Sequence, residues 1–411
     1  MRKLEVDAHE DPISSETLLT LQCRTVNKPL LPRLKSFECY NATVVFIPFM
    51  PLFLSPQTTT VNIGFGEVPP LLMVASPICI ISTLCSNLER VTIYVPDRHP
   101  IIADAISEML LACDPESLQS FAVDSSLTDE AREVVFRLPN LSRLMVAIED
   151  GELLPPIALP NLTDLDIEYF DHFDWLQGFH GAVLNKLEAV TFRSTSDQTG
   201  NFLGAFESVA LTISLQNTLS EFRFYTSRRW IPDYSSLLSF KQLRKLEIEF
   251  SCYDGCSSRV NDDIIATLAQ TMPKLEILKL GSAPCNTSTG ATVLGLITLA
   301  SCCPRLSKLR IHFQADTLVD AARNAATTPP FIARENCVLT HLEVGSIPIQ
   351  GRRQSAIRVA LILLQIFPYI LHVNFINPEW RMVEEHIEDV RRINAFVRRA
   401  GEVRPVVFNN S

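Results

Sequence analysis

A short phrase recurs along this chain: a leucine, two residues, a leucine, one residue, then another apolar residue. It appears as LPNLSRLMV at 138–146, LPNLTDLDI at 159–167, KQLRKLEI at 241–248, MPKLEILKL at 272–280 and CPRLSKLRI at 303–311, usually introduced by Pro-Asn, Pro-Lys or Pro-Arg. With the first leucine as position 1, anchors fall at Leu34, Thr58 (the weakest), Leu88, Leu118, Leu141, Leu162, Leu187, Leu219, Leu243, Leu275, Leu306, Leu339 and Ile370, spaced 21 to 33 residues apart. So short a phrase cannot bury its apolar positions alone; it needs copies of itself stacked on either side. Alternation then places positions 4 and 6 inward as a short strand, leaves positions 3, 5 and 7 facing water, and uses position 1 to fill the turn.

Between phrases, segments 101–112, 262–271, 289–302 and 353–367 carry apolar residues at helical spacing. The expected fold is therefore α/β: a leucine-rich-repeat solenoid, a horseshoe with a parallel β-sheet on its concave side and helices or turns on its convex side. The phrases between 141 and 187 stand so close that only a turn or 3₁₀ segment fits between them. The organisation expected is a poorly patterned segment at 1–30, an array of 12 to 13 irregular repeats at 31–377, and a capping amphipathic helix with tail at 378–411, in which Trp380, Val383, Ile387, Val390 and Val397 form the apolar face. An array of this kind is expected to be monomeric.

Composition narrows the function. A net charge of −10 argues against a general nucleic-acid or anionic-membrane partner, since phosphates require a basic surface. The apolar stretches at 68–84 and 356–373 are interrupted by prolines and are too short to span a bilayer. The N-terminus has no apolar core of a signal peptide, so an intracellular location, cytoplasm or nucleus, is expected. The 11 cysteines are scattered without a CxxC pair and fit small core residues in a reducing compartment. There is no GxSxG, HExxH, P-loop or GxGxxG, and only 14 glycines, so neither an enzyme nor a cofactor is expected.

What the register does supply is a list of candidate contacts at the outward positions. Asp164, Asp166 and Glu168 form an acidic row; Arg223 with Tyr225, and Lys245 with Glu247, form mixed rows; Lys308, Arg310 and His312 form a basic one. His341 and His372 share position 3 of consecutive phrases. With no Cys or carboxylate set at ligand spacing, these histidines fit solvent-facing polar positions rather than a metal centre. Charged rows with exposed tyrosines suit a protein partner. A second candidate is the loop TSRRWIPDYSS at 226–236, where Trp230 lies between Arg228, Arg229 and Tyr234.

LPRLKSFECY at 31–40, PLFLSPQTTTVNIGF at 51–65, the Pro-x-Leu phrases at 139–146, 160–167, 273–280 and 304–311, and NPEWRMVEEHI at 377–387 resemble the F-box/leucine-rich-repeat-like proteins of basidiomycete fungi. The resemblance implies recognition of a substrate protein for ubiquitylation. In that family an F-box of about forty residues docks a Skp-type adaptor. Residues 1–30 lack its Leu-Pro-x-Glu opening, so adaptor binding is expected only where an F-box lies upstream. The open alternative is a scaffold or enzyme-inhibitor protein unrelated to ubiquitin.

Overall fold

The computed structural model describes residues 2–9, 13–25, 28–66, 70–96, 98–149, 151–169, 174–194, 202–212, 215–226, 233–250, 260–281, 290–314, 317–318, 320, 337–344, 349, 353–375 and 378–399. The chain divides into two units, one of Met1–Gln198 with Ser208–Thr218, the other of Thr199–Glu207 with Leu219–Ser411.

Many repeats begin with a tight turn, most often built by a Pro-x dipeptide. The position 1 amide donates to the carbonyl three residues earlier in Leu34→Leu31, Thr58→Ser55, Leu162→Leu159, Leu187→Leu184, Leu243→Phe240, Leu275→Met272, Leu306→Cys303 and Ile370→Phe367, at 2.9–3.3 Å. The second residue of this β-turn needs φ near −65° and no N–H, and it is proline at Pro32, Pro56, Pro160, Pro273, Pro304 and Pro368. The first turn residue is itself a core residue: Leu159, Phe240, Met272, Cys303 and Phe367 are fully buried. Cys303 therefore fills space as a small apolar side chain, and burial pushes its thiol up to about 12.

A second bond set then locks each strand to the one before. The amides of positions 2 and 3 both donate to the position 2 carbonyl of the preceding strand. In the first unit Arg2 O accepts from Lys35 and Ser36, Thr59 O from Glu89 and Arg90, and Ser142 O from Thr163 and Asp164; in the second, Glu276 O accepts from Ser307 and Lys308, and Thr340 O from Leu371 and His372. A carbonyl has two lone pairs, and here both are used. Thr163 and Thr340 add their hydroxyls to the same acceptors, Ser142 O at 2.9 Å and Ser307 O at 3.1 Å.

The first unit carries β1 (Lys3–Asp7), β2 (Ser36–Ala42), β3 (Thr60–Phe65), β4 (Arg90–Tyr94), β5 (Ser120–Val123), β6 (Arg143–Ile148), β7 (Asp164–Tyr169) and β8 (Ala189–Ser194), each parallel to the next in chain order. The second carries β9 (Glu221–Thr226), β10 (Lys245–Phe250), β11 (Ile277–Leu280), β12 (Lys308–Arg310), β13 (His341–Glu343) and β14 (His372–Asn374), also parallel in chain order. Strand, turn and helix alternate as a leucine-rich-repeat solenoid requires. The segment expected to lie ahead of the array, 1–30, instead contributes β1 and the helix α1 (Ser15–Arg24), capped by Ser14. Lys3 pairs in register with Ser36, so Met1 stands at position 1 where a leucine is expected.

Helices occupy the other side. α2 (Leu71–Leu84), α3 (Pro100–Leu111) and α4 (Asp129–Val135) follow β3, β4 and β5. α4 starts at Thr128, whose hydroxyl accepts the Ala131 amide. Between β7 and β8 the described residues form a 3₁₀ segment, Asp174–Phe179, and the space is filled by Trp175 packed on Tyr169, Phe192 and Phe179 at 5.2, 5.6 and 6.2 Å. In the second unit Phe202 and Phe206, from α5 (Phe202–Thr212), pack on Phe224 and Phe222 at 5.0 and 5.2 Å. α6 (Asp262–Thr271) and α7 (Val293–Cys302) are stapled together: the Asp262 carboxylate accepts from the Thr292 and Gly295 amides at 2.8 and 3.1 Å and from the Thr292 hydroxyl at 2.6 Å. A Cβ on Gly295 would lie 2.7 Å from that carboxylate, so the staple needs glycine there. α8 (Arg353–Ile366) precedes β14, and α9 (Glu379–Arg399) follows it, burying Trp380, Val383 and Ile387; Trp380 meets Phe313 edge-on at 5.9 Å.

From β2 to β14 position 4 is buried, as at Leu144, Leu165, Leu246 and Leu342. Leu246→Ala should therefore lose about 2–5 kcal/mol in urea unfolding, an effect that a shift of the transition midpoint measures directly.

Candidate binding face

Apart from a register shift between Cys39 and Ala42 on β2, the paired strands of each unit run without slip, so side chains at positions 3, 5 and 7 form columns. In the second unit position 5 runs Arg223, Glu247, Lys279, Arg310, Glu343, each opposite the next in the pairing register. Glu247 lies between Arg223 and Lys279, and Glu343 lies beside Arg310. Glu247, only 4% exposed, accepts from the Tyr225 hydroxyl at 2.8 Å and pairs with Lys279 at 3.0 Å, Lys245 at 3.3 Å and Arg223 at 3.8 Å. Burial works against its ionisation, but the Tyr225 and Lys279 hydrogen bonds and the two lysine charges outweigh it, and the carboxyl is held below its usual range. Arg223 also pairs with Glu221 on its own strand.

Arg310 bonds Glu343 on one side and reaches Glu249, two strands away, at 2.7 Å on the other. The residue between is Gly281, at position 7 of the β11 phrase with φ +94°. A Cβ there would come within 3.0 Å of the His312 ring, so the missing side chain also lets His312 sink into the surface. His312 is 2% exposed and is thus not the solvent-facing residue its position implied.

The acidic row of the first unit is balanced in the same way. Asp164 faces Arg143 at 3.6 Å, Asp166 is bonded to Arg193 at 2.6 Å, and Glu168 to Arg98 at 2.7 Å. Asp166 is buried, and this desolvation raises its carboxyl above the ordinary aspartate range, with Arg193 opposing the effect. Two tyrosines that are position 7 residues, Tyr40 and Tyr94, stand 36% and 40% exposed. Tyr40 donates to Glu38 at 3.0 Å.

Lys308, His341 and His372 differ from the rest. They occupy position 3 of three consecutive strands, Lys308 and His372 exposed and His341 half-buried. The imidazole centroids lie 4.9 Å apart. Of the 226–236 loop, residues 227–232, including Trp230, Arg228 and Arg229, lie outside the described residues; Tyr234 is buried in a 3₁₀ turn. Among the described residues no group of three or more His, Cys, Asp or Glu is placed to hold a metal ion, and no helix is long and apolar enough to cross a membrane.

The Glu247 cluster has a defined pH signature. A carboxyl held below its usual value adds stability that is present in full above the unfolded value, about pH 4.5, and is lost as pH falls through the folded value. Glu247→Gln should cost about 1.5–3 kcal/mol at pH 7. Urea unfolding of both proteins should show that gap closing as the buffer is taken below pH 4.

No family model matches the chain, and no curated protein matches it. Among solved structures it is similar to a leucine-rich-repeat protein of Leptospira interrogans, with 12% identity and a TM-score of 0.34, over 90% of this chain and 100% of that one.

Proposed function

We propose that this chain is a non-enzymatic protein-recognition module that contacts its partner through the solvent face of its strands. The observation that carries this reading is the separation of roles along each strand. Positions 1, 4 and 6 hold the apolar core, while positions 3, 5 and 7 carry charge and tyrosine in columns on the opposite side of the strands. Half-exposed tyrosines on a rigid strand array are the kind of side chain that dominates binding energy. Paired charges around them give orientation more than affinity.

The resemblance to F-box/leucine-rich-repeat-like proteins makes the finer reading a substrate-binding part of a ubiquitin-ligase receptor, in the cytoplasm or nucleus. The alternative reading is a scaffold or enzyme inhibitor unrelated to ubiquitin; residues 3–7 and 15–24 form a strand and a helix of the repeat type rather than a separate helical module. Mixing the chain with a Skp-type adaptor separates the two arms of that choice. It should elute alone in size-exclusion chromatography, and a 1:1 complex would assign adaptor binding to the chain itself.

For the face as contact surface, proximity labelling in the source cells gives the test. Tyr94→Ala and Lys245→Glu should each deplete the same labelled proteins by about tenfold or more, whereas Leu72→Ser, on the exposed start of α2, should leave them unchanged. Depletion by the α2 variant alone would place the contact on the helix side and sink the reading.

A further inference from the structure

Many charges on the face are matched by the protein itself, and one group that is not, at the start of β12–β14, has a chemistry of its own. Lys308, His341 and His372 stand side by side in register, at the spacing of adjacent strands, about 4.8 Å. The carboxylate next to them, Glu343 on β13, is taken by Arg310, whose second partner is Glu249. Position 5 of β14 is the neutral Asn374. From α9, packed against β14, Glu384 accepts the Val373 amide at 3.5 Å. Lys308 has no ion pair among the described residues. Three basic groups thus adjoin one another with their nearest acids committed elsewhere.

His341 takes its protonation behaviour from its neighbours. Its Nδ1 lies 2.9 Å from the Thr340 hydroxyl, which is also 3.1 Å from the Ser307 carbonyl. Burial, then the His372 and Lys308 charges, hold the imidazolium below its ordinary range, with Glu343 opposing. An anion arriving at the patch supplies the missing counter-charge and reverses that penalty.

We propose that Lys308, His341 and His372 form the receptor for a carboxylate-rich segment of the partner protein, with histidine protonation strengthening the contact as pH falls. This rests on the strand face being the binding surface. Carboxylates fit better than nucleic-acid phosphates because the patch is three residues wide in a chain of net charge −10, too narrow a basic area to follow a phosphate backbone. Binding takes up protons, so affinity rises as pH drops from about 7.5 to about 6, through the ordinary histidine range.

The test uses the full chain and a fluorescent hexaglutamate peptide. Polarisation titrations should show binding about tenfold tighter at pH 6 than at pH 7.5, and NMR titration of the His341 ring should move upward in pH when peptide is present. His341→Gln with His372→Gln should abolish the pH dependence, and Lys308→Ala should weaken binding at both pH values, with thermal unfolding midpoints unchanged. Binding that is independent of pH, or a His341 titration that the peptide leaves in place, would overturn the proposal. So would an oligonucleotide of equal charge that displaces the peptide with higher affinity. If proteins labelled in a Tyr94-dependent manner are still labelled by the Lys308→Ala, His341→Gln, His372→Gln variant, the carboxylate receptor fails while the strand face stands as the contact surface.

Discussion

The structure depends on one repeated acceptor, the position 2 carbonyl of each strand. It takes two amides from the next strand, and in places a hydroxyl as well. Two bonds converging on a single oxygen leave no freedom for the next strand to slide, since a shift of one residue would break both and turn every side chain to the opposite face. The leucines supply the burial that makes stacking favourable. The carbonyl supplies the register. Without it, positions 3, 5 and 7 would not align into columns and the ion pairs between strands would have no fixed geometry.

That alignment shapes the electrostatics of the face. Carboxylates such as Glu247 and Asp166 are buried at outward positions because cations on neighbouring strands stand at the same height. A pair formed in this way gains little net energy, since desolvation offsets attraction. What it does is remove charge from view. Among the described residues, what stays unmatched or half-exposed on the strand face includes the two tyrosines and the cationic group at the start of β12–β14.

Much of the architecture was legible from the chain. Leucine spacing located the strands, the Pro-x dipeptide marked the turns, and helical periodicity placed α6 and α8. The aromatic filling of the short repeats follows from there being too few residues between Leu162 and Leu187 for a helix. β1 was hidden because Lys3–Asp7 carries no full leucine phrase, so only the pairing of Lys3 with Ser36 reveals it. Burial at outward positions was hidden for another reason. Alternation says which way a side chain points, but whether water reaches it depends on what the adjacent strand carries, as His312 shows beside Gly281.

Gly281 has a consequence beyond the turn of the chain. A Cβ there would meet the His312 ring at 3.0 Å and the Phe250 ring at 3.8 Å. The burial of His312, 2% exposed at an outward position, is thus set by a residue on the preceding strand that contributes no side-chain atom to it. A single absent methyl carbon decides whether an imidazole lies in the surface or on it.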